Sequence, residues 1–474
     1  MADKQFGKRF TNNLVIALLA QSLSYVFSVL MSLIVPKVLV LEQYSYWQLF
    51  VFYSTYVGLF HLGLSDGVYL KHGGTELKNL DKGSIGSQYK LMVLWLSIIC
   101  VCTLPVLIHS TDNAERQYIW ILVAIYLVVA NATWYLGYVF QAANQTSVYS
   151  TSVILSKASY ILFIFVMLIV RPASFRPFAS FYVVAQGIAL LYVVYKGRSF
   201  VFYKMQPMRA TIKEAFSNIL IGINLTISNL ASSLILGIGR VMIDRTSGVV
   251  NFGLLSLAIT ITNFFLQLIA QVSMVLFPAL RQINEESVKS IFEKTRFGIS
   301  YLFTSILILY APLKFILLWW LPQYAESFKY LAFLLPICVF DGKMQLLFNT
   351  YMKVLRKERI LLLINLISLG LSVLLCSIGA YIIGDIVAIT LAMMISIVMR
   401  SILSNVYLSN VMGVALDKNT ISEVGLSALF VFLNVFTSTI VAFLIYVMAY
   451  VIYIFVVRNE IKKLLVVIQQ RLIR

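Results

Sequence analysis

The stretch Gly237 to Gly253, GIGRVMIDRTSGVVNFG, sets Arg240, Asp244 and Arg245 between two apolar runs, Phe216 to Ile238 and Leu254 to Pro278, neither of which holds a charged residue. Charge at the mouth of a membrane-length apolar run is costly and needs a partner or a task. Arg240 and Asp244 are four apart, so on a helix they share a face and can pair, leaving Arg245 for an anion. If Asp244 serves Arg245 instead, Arg240 is the one left over. A guanidinium suits an oxyanion because its planar fork holds two oxygens at once. A structural ion pair at the outer interface is an equal alternative.

Four more charged positions fall inside apolar runs. Asp341 and Lys343 lie in FDGKMQLLF, where each charge costs roughly 2.5 to 3.5 kcal/mol on insertion scales. Two positions apart on a helix they diverge by roughly 200 degrees, so they need other partners, each other across a loosened Gly342, or a cavity. Lys157, in VILSKASYI, can snorkel to the near interface or face a cavity. Arg400 sits deeper and favours the cavity. These residues, Arg240, Arg245, Lys343, Lys157 and Arg400, are the candidate cavity cations, with Asp244, Asp341 and His61 as candidates for positioning them or for ion coupling. His61 reads more readily as a satisfied core histidine.

Other chemistries have no signature here. His61, His72 and His109 are scattered, with no H-E-x-x-H, so no metal site is expected, and no Walker or dinucleotide glycine pattern implies a nucleotide cofactor. Cys100, Cys102, Cys338 and Cys376 all fall in apolar runs and read as core residues rather than as disulfides.

The elements that must position these groups are membrane helices. With 60% hydrophobic and 12% charged residues in 474, and a mean hydropathy of +0.89, the chain cannot coat a soluble domain. Its runs suit helices crossing roughly 30 Å of hydrocarbon and lack the alternating ten-residue pattern of an outer-membrane barrel. Expected spans are 12–35, 45–65, 90–109, 118–141, 149–170, 178–195, 216–238, 251–277, 297–320, 329–352, 360–381 and 386–410. The N-terminal run is too long for a signal peptide and reads as a retained span.

The net charge of +18 does not point to nucleic acid, because the basic residues fall in short loops where the positive-inside rule puts them. With the N-terminus in the cytoplasm they favour that side by roughly three to one. Val424 to Val457 is free of charge and could be one helix. One span would strand the basic tail outside, so the expectation is a pair turning near Asn434 to Thr439, fourteen spans in all. The tail RNEIKKLLVVIQQRLIR is amphipathic and reads as lying on anionic lipid at the inner surface. Tyr44, Tyr46, Trp47, Trp319 and Trp320 cluster near span ends and read as the aromatic belt.

Phe10-Thr-Asn-Asn-Leu14 and Phe216-Ser-Asn-Ile-Leu220 open the first and seventh spans, and the same offset puts Tyr46 on Phe252. Six spans separate the copies, which suggests a parallel repeat with a cavity between lobes. The expected organisation is an N-lobe 1–200, a cytoplasmic linker 201–215, a C-lobe 216–412, a helix pair 413–457 and a basic tail 458–474.

Several of these segments resemble one family. An F-x-x-N opening, LEQYSYWQL before the second span, LFHLGLSDGVYLKHGG at its end, and VMIDRTSGVVNFGLLSLAITI are similar to the polysaccharide flippases. The mid-chain match falls on Asp244, Arg245, Gly248 and Phe252, while Gln43-Tyr44-Ser45-Tyr46 lacks the family's glycines. The resemblance implies an all-α, MATE-like exporter of the multidrug/oligosaccharidyl-lipid/polysaccharide (MOP) superfamily, of Wzx-like type, in a bacterial cytoplasmic membrane. It further implies a non-enzymatic flippase moving an undecaprenyl-pyrophosphate-linked oligosaccharide by alternating access, with H+ or Na+ as candidate coupling ion, beside a polymerase and glycosyltransferases. The alternatives are a cation or drug antiporter of the same superfamily, and a membrane polymerase or glycosyltransferase. Cations would favour buried carboxylates, and an enzyme of that kind would need a longer outer loop.

Overall fold

A computed structural model describes the backbone of residues 2–280, 285–415 and 419–472 and the side chains of 16, 19–270, 289–415 and 419–458. The described residues are helical, with no strand among them, and the chain divides into two compact units, Met1–Leu230 and Ala231–Arg474.

The first unit contains α1 (Ala2–Leu33), α2 (Val35–Val38), α3 (Leu41–Thr55), α4 (Leu64–His72), α5 (Lys82–His109), α6 (Ala114–Ala142), α7 (Thr146–Val170), α8 (Arg176–Lys196) and α9 (Arg198–Val201), and ends within α10 (Met208–Leu280). Short polar residues start the long helices. Asp81 accepts from the N–H groups of Gly83 and Ser84 at α5, and Asn113 from those of Glu115 and Arg116 at α6, satisfying donors a helix start leaves open. α6 is the hub, packing on α3, α4, α5, α7 and α8, while α7 also packs on α1.

The expected second span is broken. After α3 a 3-10 turn, Val57–His61, leads to two consecutive left-handed residues, Leu62 (φ 55°) and Gly63 (φ 87°), before α4. Gly63 is required twice over, since a Cβ there would also stand 2.7 Å from the carbonyl carbon of Gly222 on α10. One turn on, a Cβ at Gly67 would overlap the carbonyl oxygen of Asn218. The backbones of α4 and the start of α10 thus touch without side chains between them. Polar contacts lock the seam, Thr226 Oγ1 donating to Asp66 Oδ2 at 2.7 Å and Lys71 pairing with Glu214 at 2.6 Å, and Asn218 Nδ2 also donates to Gln88 Oε1 on α5 at 2.7 Å.

Tyr44, Tyr46 and Trp47 are buried in this unit, not in an interfacial belt. The Trp47 ring stacks near Tyr160 at 6.2 Å, and Tyr182 lies within 6.4 Å of Phe27, Trp47, Phe50, Tyr126 and Tyr160. Sequence position cannot separate a belt aromatic from a core one, because both follow a loop. Trp319, 79% exposed, does match the belt reading.

In the second unit, α10 is 73 residues long, more than three times the roughly 20 residues one span needs, and breaks at Gly248 (φ 85°, ψ 170°). There follow α11 (Glu285–Ile306), α12 (Tyr310–Trp320), α13 (Ala325–Leu334), α14 (Ile337–Lys343), α15 (Asn349–Val354), α16 (Glu358–Ser377), α17 (Ile386–Met412), α18 (Asn419–Phe436) and α19 (Thr439–Leu472). The expected tenth span bends by 49° at Leu335–Pro336, where proline removes a helix donor, and relaxes into a π-helical segment, Met344–Phe348, after α14. The charge-free run splits after Phe436 and resumes at Thr439, within the expected turn. α19 continues to Leu472 without a break before the tail, whose amphipathic side chains lie outside the described residues, as do the side chains of the Phe10 segment.

Among the described residues eleven helices are long and apolar enough to cross a membrane, twelve with the bent pair counted as one. With α10 read as two spans and the broken segment from α3 to α4 as one, each of the fourteen expected spans has a helical counterpart. The chain is a multi-pass, all-α membrane protein. The cysteines are unpaired; Cys338 and Cys376 are buried as expected, whereas Cys102 faces outward from α5.

Candidate functional site

The first unit holds a half-open cavity of about 370 Å³ between α3, α6, α7 and α8. Its polar wall is Ser54, Thr55, Thr133, Ser152, Ser156 and Gln186, its aromatic wall Tyr126, Trp134, Tyr149 and Tyr182, and its one charged residue among the described ones is Lys157. Several hydroxyls are used locally. Thr55, Thr133 and Ser152 donate to carbonyls three or four residues back, as serine and threonine do in membrane helices, and Ser156 donates to Gln186 Oε1 at 3.2 Å. Ser54 is buried and its hydroxyl has no partner.

Lys157 does not pair with a carboxylate among the described residues. Its Nζ sits 3.8 Å from the centre of the Phe27 ring, a cation–π contact from α1 that holds the ammonium at the cavity wall. An ammonium offers three donors, and the ring face does not consume them all, so the group can still donate to an oxygen anion.

In the second unit Arg400, Asp341 and Lys343 are brought together, but as closed ion pairs. Arg400 on α17 bonds the Asp341 carboxylate on α14, and its other terminal nitrogen donates to Ser232 Oγ on α10 at 2.5 Å. Gln345 Nε2 adds a second donor to Asp341 at 2.9 Å. Lys343 turns the opposite way, as positions two apart require, and pairs with Glu423 on α18. Both pairs are almost wholly buried. Two cations meet two carboxylates, so the set is neutral and ties α10, α14, α17 and α18 together. Lys343 and Arg400 therefore differ from the expected open cavity cations. Glu423 escaped the sequence reading because it stands one residue before the charge-free run; a lone acid at that border was the available signal.

The opening stretch is helix rather than loop. α10 runs unbroken through Arg240, Asp244 and Arg245 and breaks only at Gly248. Arg240 reaches across the break, donating to Ser256 Oγ at 2.8 Å and stacking 4.9 Å from the Phe252 ring. The helix thus carries Arg240 and Asp244 beyond the apolar run that ends at Ile238, as expected, and the guanidinium meets a buried hydroxyl and a ring there. Asp244 is buried, and Arg245 next to it is exposed with no ion-pair partner among the described residues. His61 is buried in the α3–α4 break, where its Nδ1 accepts the Gly63 N–H at 2.9 Å.

The sequence reading found Lys157 but not its company. Phe27, Ser54, Trp134, Tyr182 and Gln186 come from four different helices, and singly each looks like ordinary span sequence.

No family model matches this sequence, and no curated protein matches it. Solved structures do. A structure of lipid II flippase MurJ in an inward closed conformation superposes with a TM-score of 0.65 at 13% identity, covering 95% of this chain and 99% of that one. An inward-facing multidrug resistance MATE family transporter of the MOP superfamily gives 0.62 at 12% identity, over 85% and 98%. A MATE structure in a bent conformation gives 0.54 at 12%, over 89% and 97%. The chain has the fold these MOP-superfamily transporters and the MurJ flippase share.

Proposed function

We propose that this protein is a lipid-linked oligosaccharide flippase. It moves an undecaprenyl-pyrophosphate-linked polysaccharide repeat unit across the cytoplasmic membrane by alternating access, with both termini in the cytoplasm. The observation that carries the proposal is the cavity of the first unit, in which Lys157 faces hydroxyls, an amide and aromatic rings and meets no carboxylate among the described residues. Such a lining suits a hydroxyl-rich, negatively charged substrate. An organic cation would be repelled by the ammonium and would need an acid that this wall does not contain.

The shared fold alone serves both readings, since a MATE multidrug transporter and a lipid II flippase superpose comparably on this chain. Cavity charge is what separates them. Arg245, exposed beside a buried Asp244, is the candidate for the pyrophosphate, with Arg240 fixing the helix break next to it, while Lys157 faces the glycan. In this reading the neutral ionic set of the second unit is architectural, and H+ or Na+ supplies the driving force.

The test is genetic. Lys157→Gln and Arg245→Ala should each lower surface polysaccharide at unchanged protein level, with lipid-linked repeat units accumulating in the inner leaflet while the polymerase and glycosyltransferases remain active. Full export by a Lys157→Gln, Arg240→Ala, Arg245→Ala variant would overturn the assignment.

A further inference from the structure

We infer that the first unit's cavity is a subsite for one acidic sugar residue, a hydroxyl-rich ring bearing a single carboxylate or phosphate group. The inference rests on the glycan reading above and narrows it. The pyrophosphate of a lipid carrier is a different ligand and does not fit this wall.

Charge count is the first argument. The cavity has a lysine and no arginine, so it presents one point charge rather than the fork, or pair of cations, that a pyrophosphate calls for. The Phe27 ring 3.8 Å behind Nζ fixes where that charge stands and leaves its remaining donors turned to an acceptor.

Size is the second. About 370 Å³ lies near the lower end of ligand pockets, which suits a single ring with its substituents rather than an extended oligosaccharide. The third is the neutral wall. The hydroxyls of Thr55, Thr133 and Ser152 each donate to a carbonyl of their own helix, which leaves their oxygens to accept from a sugar hydroxyl. The Gln186 amide, already bonded to Ser156, and the Trp134 ring add a polar and an apolar surface, as the two faces of a sugar require.

Trp134 makes the site readable. The purified full-length protein would be titrated with glucuronate, glucose 6-phosphate, glucose, inorganic phosphate and tetraphenylphosphonium while tryptophan emission is followed, with Trp134→Phe identifying the cavity's share of the signal. The expected result is saturation by glucuronate or glucose 6-phosphate with an apparent Kd roughly tenfold or more below that of glucose, the effect of one charge-assisted hydrogen bond. Lys157→Gln should erase that difference and Lys157→Arg should keep it. Whichever of the two acidic sugars binds tighter identifies the anion as carboxylate or phosphate.

Glucose binding as tightly as both acidic sugars, or a preference that survives Lys157→Gln, would overturn the inference and leave the glycan reading standing. Inorganic phosphate matching glucose 6-phosphate would overturn the sugar component. Saturation by tetraphenylphosphonium alone would overturn both readings, and a silent cavity would overturn the subsite.

Discussion

Breaking the Asp341–Arg400 pair should destabilise the protein more when one partner is removed than when both are. Asp341→Leu leaves a buried guanidinium whose charge cannot be shed, with Ser232 as its remaining named contact. Removing one partner of a buried pair costs about 3 to 5 kcal/mol, and this variant should fall at the upper end. Arg400→Leu leaves the Asp341 carboxylate with Gln345 Nε2 still donating to it at 2.9 Å, so its loss should fall at the lower end, about 3 kcal/mol. The double leucine variant should lie closer to wild type than either single one, since apolar replacement of a whole buried pair is often nearly neutral. Reversible unfolding in micelles, with each variant referred to wild type under the same conditions, measures this. Additive losses, with the double variant falling by the sum of the two single ones, would refute the reasoning.

Other expectations follow from single positions. Gly67→Ala drives a methyl into the Asn218 carbonyl and should cost about 1 to 3 kcal/mol or prevent folding. Gly187→Ala, in α8 with open space around it, should stabilise by about 0.5 to 1 kcal/mol; melting temperatures compare the two. Arg240→Ala should cost about 1.5 to 3 kcal/mol through the Ser256 bond and the Phe252 contact, whereas Arg245→Ala should stay within about 0.5 and act only on transport. His72 is held below its ordinary 6.5 by burial and by Lys71, against the opposing Glu214. The unfolded chain then takes up the proton first, so stability is lost as pH falls below about 6.5, and His72→Gln should flatten that part of the profile.

What the sequence revealed was set by length and charge. Fourteen spans, and the turn between Phe436 and Thr439, follow from how much apolar chain crosses a bilayer and where its basic residues must end. Pairings at long range were hidden. Lys343 meets Glu423 and Arg400 meets Asp341 across helices far apart in the chain, and no local pattern marks either. Trp47 and Tyr44 were misplaced for a related reason, because burial belongs to the packing and not to a position near a span end. Gly63 and Gly67 stood in a recognisable motif, yet the close approach of Gly222 that explains them became visible only in three dimensions. For Lys157 the charge was legible, and the absence of an acid beside it among the described residues was not.

That lysine carries the central claim, and reconstituted translocation tests it most directly. Proteoliposomes holding wild-type protein, given a polyprenyl-pyrophosphate-linked oligosaccharide on one face, should expose the glycan on the other. Lys157→Gln should slow this by roughly tenfold while Lys157→Arg retains it. Organic cations should neither move nor compete. Cation transport by the wild type, with glycan left in its original leaflet, would contradict the account.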